Sequence, residues 1–185
     1  MGQNKALMLF NGLPLIERVV RRLQSLADEV LVSTNQPEDY AFLGLPLYPD
    51  LIPGKGPLGG LYTALKVAQG ELVALVACDM PFASPQLLAA QRDLLLAGSW
   101  DVVIPRSSEG LEPLHAIYRV TTCLPAVERA LQKERLRMVS WLVDVKVRQL
   151  SAEEVRAVDP DLRAFMNVNT PDEFRQAELL DEPPG

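Results

Sequence analysis

Hydrophobic and polar positions follow two different periods along this chain. The strongest signal is Leu72–Ala77, six apolar residues with no polar interruption. A short unbroken run of this kind predicts a central parallel strand covered by helices on both faces. It stops before Asp79, and Pro81 prevents further ladder bonding. Glu29–Asn35 predicts another parallel strand that finishes in small polar residues, and Leu43–Tyr48 a third that ends in Pro49-Asp50. Val102–Pro105 and the segment from Leu114 to Arg119 follow. The strictly alternating Val143–Arg148 predicts a half-exposed strand near a sheet edge. Between these, Leu15, Ile16, Val19, Val20, Leu23 and Leu26 recur at helical spacing behind Pro14. Further helices are expected from Pro57 to near Gln69, from Ser84 or Pro85 to Leu96, from Cys123 to near Gln132, and over Arg137–Leu142. A last one starts at Pro171, where Thr170 and Glu173 make a capping box. Asn11-Gly12 is a tight-turn pair that folds Ala6–Phe10 back on the chain. This strand–helix rhythm predicts a three-layer α/β/α sandwich with right-handed crossovers.

The strand ends carry the candidate chemistry. Asp79 fits either a simple turn residue or a ligand-binding carboxylate, since open α/β sheets bind ligands beyond their carboxyl edge. Asp50 is a second carboxylate in such a position. Ser33 and Asn35 end the Glu29–Asn35 strand, where they suit hydrogen bonding to a base or ribose; Asn35 equally suits capping the loop before Pro37. The run Ile52–Gly60 holds four glycines and two prolines, a composition for a loop whose backbone approaches a ligand. Gly56 and Pro57 lead into a helix whose N-terminal amides are free for a base edge or phosphate. No Gly-Lys-Ser/Thr triplet closes the run, so it is not a P-loop, and Lys55 reads as a loop charge. Gly2, Asn4 and Lys5 fit the end of an anion-cradling loop or a frayed terminus. His115, the only histidine, falls in a strand, where it suits a structural role or ligand recognition. Asn167 and Asn169 alternate with Met166 and Val168, so their amides point the same way. Residues 182–185 read as a frayed tail.

Composition narrows the class. The length of 185 residues suits one domain with a sizeable core. A net charge of -6 without a basic block makes nucleic acid a poor partner. Cys78 and Cys123 match no zinc spacing and imply no disulfide framework. Nothing reaches the length of a membrane span or reads as a signal peptide, from which a cytoplasmic location is expected.

Several stretches together resemble the molybdenum cofactor guanylyltransferases and the wider nucleotidyltransferases of their fold. They are Met1–Leu7, Gly12–Ile16, Asp50, Gly56–Gly60, Cys78–Pro81, Glu112–Tyr118 and Phe165–Glu173, in the family's order. The resemblance implies a mostly parallel, Rossmann-like sheet of the nucleotide-diphospho-sugar-transferase kind. It implies transfer of GMP from GTP to molybdopterin, with release of pyrophosphate. It places Mg2+ on Asp79 and phosphate oxygens, Lys5 against the α-phosphate, and Gly2, Ser33, Asn35, Asp50, Gly56, Pro57 and Leu58 around the nucleotide. His115, Asn167 and Asn169 would face the pterin, and other molybdenum-cofactor assembly proteins would be partners. A CTP-using or sugar-phosphate nucleotidyltransferase, or an inactive nucleotide-binding module, are the alternatives; the absent Gly-x-Gly-x-x-Gly fingerprint argues against a redox domain. One departure is large. Members of the family begin with an apolar central strand and a Leu-Ala-Gly-Gly-x-Ser-x-Arg loop before the position of Met1. From this we expect a start placed too late, and neighbouring strands left without a parallel partner.

Overall fold

The structure is a computed structural model and describes residues 4–181; Gly2 and residues 182–185 lie outside that range. After one 3-10 turn, Lys5–Leu7, strands β1 (Leu9–Phe10) and β2 (Leu13–Pro14) form an antiparallel hairpin. Its corner is Asn11 and Gly12, with φ of 46° and 83°, the paired positive values that a two-residue hairpin turn needs. Helix α1 (Leu15–Leu23) follows at once and buries Leu15, Ile16 and Val19. Strand β3 (Val32–Ser33) pairs in parallel with β4 (Leu47–Tyr48). Helix α2 (Gly56–Val67) then leads to β5 (Leu72–Val76), α3 (Pro85–Ala97), β6 (Val102–Pro105), β7 (His115–Arg119), α4 (Val120–Gln132) and β8 (Val147–Leu150). The short α5 (Ala152–Arg156) and α6 (Pro171–Asp181) complete the chain's described part.

The larger sheet has the order β5-β7-β6-β8. Strand β7 is antiparallel to both neighbours and β6 is parallel to β8, so β5, β6 and β8 share one direction. Alternate residues feed two cores. Val102, Ile104, Ala116 and Tyr118 pack with α2 and α4 around fully buried Trp141, while Val103 and Ile117 pack with Leu87, Leu88 and Leu95 of α3. Helices therefore cover both faces, which is the α/β three-layer arrangement expected. The capping box expected at Thr170 is present, and Ser84, expected only as a possible helix start, also acts as a cap. Ser84 accepts from the Leu87 N–H at the start of α3, and Thr170 and Glu173 exchange hydrogen bonds at the start of α6.

Five expectations need correction. Leu72–Val76 is not central: among the described residues β5 pairs only with β7, in the antiparallel sense, and Ala74 is exposed. The Glu29–Asn35 strand shrinks to Val32–Ser33, because a ladder exists only where β4 supplies partners. Arg137–Leu142 forms turns rather than a helix, and the following strand starts at Val147 instead of Val143. Val143 is 82% exposed in a 3-10 turn over Leu142–Asp144, so alternation there does not report a strand. The helix expected from Cys123 begins earlier, at Val120, and carries Pro125 inside it.

Candidate active site

A cleft of about 1220 Å³ runs along β5. Ser33, Asn35, Asp50, Gly56 and Pro57 line it, and so do Cys78 and Asp79. Two constellations meet here: one, on β3, β4 and α2, lies within the cleft, and the other, at the end of β5, reaches it only through Cys78 and Asp79, its Lys5 and Asn169 lining a separate hollow.

The first centres on Asp50, directly after β4. Its carboxylate accepts from Ser33 Oγ at 3.2 Å and from Asn35 Nδ2 at 3.0 Å, while its own N–H donates to Asn35 Oδ1 at 2.9 Å. Parallel pairing of β3 with β4 brings these ends together, so the side-chain contacts follow from the register. Asp50 also sits against the first turn of α2. A Cβ on Gly59 would lie 3.8 Å from Asp50 Oδ2, and one on Gly60 4.0 Å from Oδ1. A carboxylate there complements the positive end of the helix dipole. Gly56 has φ of +59°, a conformation glycine adopts without strain, and Pro57 follows in the first turn. Leu58 is wholly buried in the core and does not line the cleft, so the nucleotide contact expected of it does not fit its position. Lys55 is not free; its ammonium meets Glu134 at 2.8 Å, a surface pair of small energetic weight.

The second constellation gathers residues far apart in sequence. Lys5 Nζ donates to Asn169 Oδ1 at 2.9 Å across a separation of 164 positions. Val168 N–H donates to the backbone carbonyl of Asp79 at 3.0 Å, so the Asn167–Asn169 segment is fastened to the strand-end loop. Val168 is buried while Asn167 and Asn169 are exposed on either side of it, and the expected alternation holds. Beside Lys5 and Asn169 lies a smaller hollow of about 190 Å³, walled by Met8, Val168, Pro171 and Phe174. Cys78 borders the cleft, but its thiol is pushed up to about 11. The protein packed around the sulfur is the first cause and the Asp79 charge adds to it, with Lys5 acting the other way. It stays protonated at neutral pH and is a poor nucleophile.

His115 sits elsewhere than a ligand-facing residue. Its side chain is fully buried on β7, and Nε2 accepts from the Ser84 N–H at 3.0 Å. Gln91, also buried, donates to the His115 carbonyl, and Phe165 meets the ring edge-on at 5.6 Å. Burial pushes the imidazole down to about 4, so the neutral ring holds the loop between Asp79 and α3. Direct contact with an acceptor, expected for His115, does not fit this burial. Thr63 was not singled out in the sequence. It is fully buried in α2, accepts from Leu51 N–H and donates to the Gly59 carbonyl, both at 3.0 Å. Its only sequence signal is a hydroxyl inside the apolar run of α2.

Among the described residues no group of three or more His, Cys, Asp or Glu side chains is placed to hold a metal. Among the described residues Asp79 is the one carboxylate that borders the cleft at the end of β5. One carboxylate suits Mg2+, which commonly takes one or two protein carboxylates and completes its shell with substrate phosphates and water.

The fold is that of the nucleotidyltransferases. The MobA-like NTP transferase domain matches residues 1–145, and the chain belongs to that family. It is 37% identical over 182 residues to a probable molybdenum cofactor guanylyltransferase of Pelotomaculum thermopropionicum, covering 98% of this chain and 87% of the relative. With the molybdenum cofactor guanylyltransferase of Desulfosudis oleivorans it shares 35% identity over 180 residues, 96% and 87% of the two chains. The molybdopterin-guanine dinucleotide biosynthesis protein A of Archaeoglobus fulgidus superposes with a TM-score of 0.82 at 27% identity, covering 97% and 91%. A cytidylyltransferase acting on 2-C-methyl-D-erythritol 4-phosphate, from Thermus thermophilus, shares the fold with a TM-score of 0.67 at 18% identity, covering 97% of this chain and 94% of that one. No helix among the described residues is long and apolar enough to cross a membrane.

Proposed function

We propose that this protein transfers GMP from GTP to molybdopterin, forming molybdopterin guanine dinucleotide and pyrophosphate. The observation that carries the reading is one cleft with a polar, helix-capped end at Asp50 and a carboxylate at Asp79, in a chain resembling guanylyltransferases over nearly its whole length. The Asp50 end suits the nucleoside: Asn35, Ser33 and the backbone at Gly56 and Pro57 offer hydrogen bonds to base and ribose. The Asp79 end suits the phosphates. Mg2+ held there would neutralise phosphate charge.

In this reading a phosphate oxygen of molybdopterin attacks the α-phosphorus of GTP. The bond from that phosphorus to the bridging oxygen breaks, and pyrophosphate leaves with the electron pair. Lys5 offsets charge on the α-phosphate, and the task of the residues is positioning and charge stabilisation. Asn169 orients the Lys5 ammonium, and Asn167 and Asn169 face the acceptor. His115 positions the loop that carries Asp79. Gly2, which lies outside the described residues, belongs with the phosphate-facing set.

The test is pyrophosphate release from GTP with molybdopterin, using Asp79→Ala beside the parent. The variant is expected to stay folded by circular dichroism and to lose transfer. Near-normal turnover would rule out the role given to Asp79. CTP that served as well as GTP would move the substrate to a cytidylyl donor, and nucleotide binding without pyrophosphate release would reduce the protein to a binding module.

A further inference from the structure

The loop that carries Asp79 is gripped from outside the cleft by two arginines of α1. Arg18 Nε donates to the Pro81 carbonyl and Arg22 Nε to that of Ala83, both at 3.0 Å. On the loop's other flank the Asp79 carbonyl accepts from Val168 N–H, and Ser84 N–H donates to His115. Arg18 makes the larger set of contacts. Its Nη2 pairs with Asp181 Oδ1 at 2.5 Å, at the end of α6. Its guanidinium carbon lies 4.7 Å from the Phe10 ring centroid and 5.8 Å from that of Phe82. One guanidinium thus meets a carbonyl, a carboxylate and two rings. A planar fork fits that set and a compact ammonium does not.

What Arg18 joins is one small packed unit. Phe10, Phe82, Val168, Phe174 and Ala177 belong to a single buried cluster, so the hairpin, the Asp79 loop, the Asn167–Asn169 segment and α6 share a core. Phe10 meets Phe82 edge-on at 6.0 Å and Phe174 at 5.5 Å. Helix α6 holds the asparagine segment at its start, where Glu173 accepts from Asn169 N–H at 2.7 Å. Its far end is held by the hairpin corner and by α1. Asn11 N–H donates to Glu178 and Asn11 Nδ2 to Asp181, beside the Arg18 pair. Burial works to raise the Asp181 carboxyl, but the hydrogen bonds from Arg18 and Asn11 outweigh it and hold the group below its ordinary value. The pair is therefore charged at neutral pH. Exposed ion pairs carry little energy, yet this one is mostly covered on both sides.

We propose that Arg18 is a positioning residue, a joint through which the docking of α6 sets the Asp79 loop against the Asn167–Asn169 segment. The inference rests on the reading that Asp79 serves the phosphates and that the two asparagines face the acceptor. Arg18 itself lines neither the cleft nor the hollow beside Lys5, so its action is on the placing of other groups. The carbonyl it holds lies two residues after Asp79. The helix whose far end it holds begins directly after Asn169 and Thr170. Its contacts run to α6, the hairpin and the loop, whereas Asp50 and the nucleoside end stand on β3 and β4. Arg18 therefore governs how donor and acceptor meet, and not how the nucleotide binds. Reacting groups displaced by about 1 Å lose on the order of 10²-fold in rate, so a small drift of the loop is enough to be read.

The test takes Arg18→Met and Asp181→Asn in the full chain, singly and together, and reads amide hydrogen exchange first, without substrate. With Arg18 present, Asp181→Asn is expected to speed exchange at Ala83 and Ser84 by about tenfold, although both amides sit in the loop and not on α6. In the Arg18→Met background the same change should add nothing, because the two act through one contact. Ala130 of α4, away from the joint, should stay as it was. Should Arg18→Met not fold, the Arg18→Lys background carries the same comparison. Transfer of GMP is read next. Arg18→Met should lower kcat by about tenfold or more and raise KM for molybdopterin, with KM for GTP kept within about twofold. Arg18→Lys, which has the charge without the fork, should not restore it. Equal effects of Asp181→Asn in both backgrounds would overturn the proposal, and so would a loop that gave no response. Faster exchange at Ala130 as well, or a lower kcat with both KM values unchanged, would mean a general loss of fold and would sink it too. A parent chain that showed the exchange coupling but transferred nothing from GTP would remove the reading of the function and leave the joint in place.

Discussion

Asp50 is engaged by two side chains and by the first turn of a helix, so its charge is already placed before any ligand arrives. Asp50→Ala frees Ser33 and Asn35 to turn and removes the restraint on the α2 start. Losing hydrogen bonds to a charged group typically costs about 1–3 kcal/mol, so KM for GTP should rise by about tenfold or more while kcat changes less. Steady-state kinetics separate the two effects. His115 gives a second prediction at this scale. Its folded value of about 4 lies below the ordinary 6.5. Below that ordinary value the unfolded chain takes up a proton that the folded one refuses. The stability is therefore fully present above pH 6.5 and is lost as pH falls toward 4. Between pH 7 and pH 5 the loss amounts to about 2 kcal/mol, to be read from urea unfolding, and His115→Gln should flatten that slope. The sequence located His115 in a strand and Asp50 beyond one. It did not reveal their partners, because Ser84 and the histidine meet only when β7 enters the sheet's interior. Lys5 and Asn169 are likewise neighbours only in the fold.

At the scale of elements, the glycines at the head of α2 divide into two kinds. A Cβ on Gly59 would come within 3.1 Å of Lys55 Cβ and 3.3 Å of the Ile52 carbonyl oxygen, whereas on Gly60 the nearest atom is Ser33 Oγ at 3.7 Å. Alanine gains close to 1 kcal/mol over glycine in a helix interior. Gly60→Ala should keep most of that gain. Gly59→Ala must shift the loop that sets Asp50 and should be the less stable of the two, with a lower Tm in a paired thermal scan. Both positions read in the sequence as glycines letting backbone approach a ligand, yet it is Gly59 whose Cβ would crowd Lys55 and the Ile52 carbonyl. The helix cap at Thr170 was among the most legible features, since it acts within three residues of itself. Strands were less so. An all-apolar run reports that it touches apolar surface but not how many of its edges are paired, which is why β5 read as central and lies at an edge. Val143–Arg148 alternates as a strand does, yet the ladder with β6 begins only at Val147, because register is set by the partner.

At the scale of the molecule, the two constellations belong to separate sheets. The Asp50 group rides on β3 and β4, a two-stranded unit, whereas Asp79 ends a strand of the four-stranded sheet. Helix α2 packs against both, and the Glu29–Gln69 hydrogen bond ties their starts. A pair of two-residue strands has little stability of its own. A nucleotide that contacts Asp50 at one end and Asp79 at the other bridges the units and is bound only when both are in place. Linkage then requires it to stabilise the fold, by about 2.7 kcal/mol at a concentration 100 times its Kd. For a chain of this size each kcal/mol is worth about 2–4 °C, so Mg-GTP near saturation should raise Tm by about 5–10 °C. Amides of Val32 and Thr34, which hold β3 to β4, should exchange more slowly in the same samples. Asp79→Ala should lose much of the Tm shift, and Asp50→Ala should lose it too although the two carboxylates sit on different sheets. A shift abolished by only one of them would mean that the nucleotide rests on a single wall and does not span the cleft.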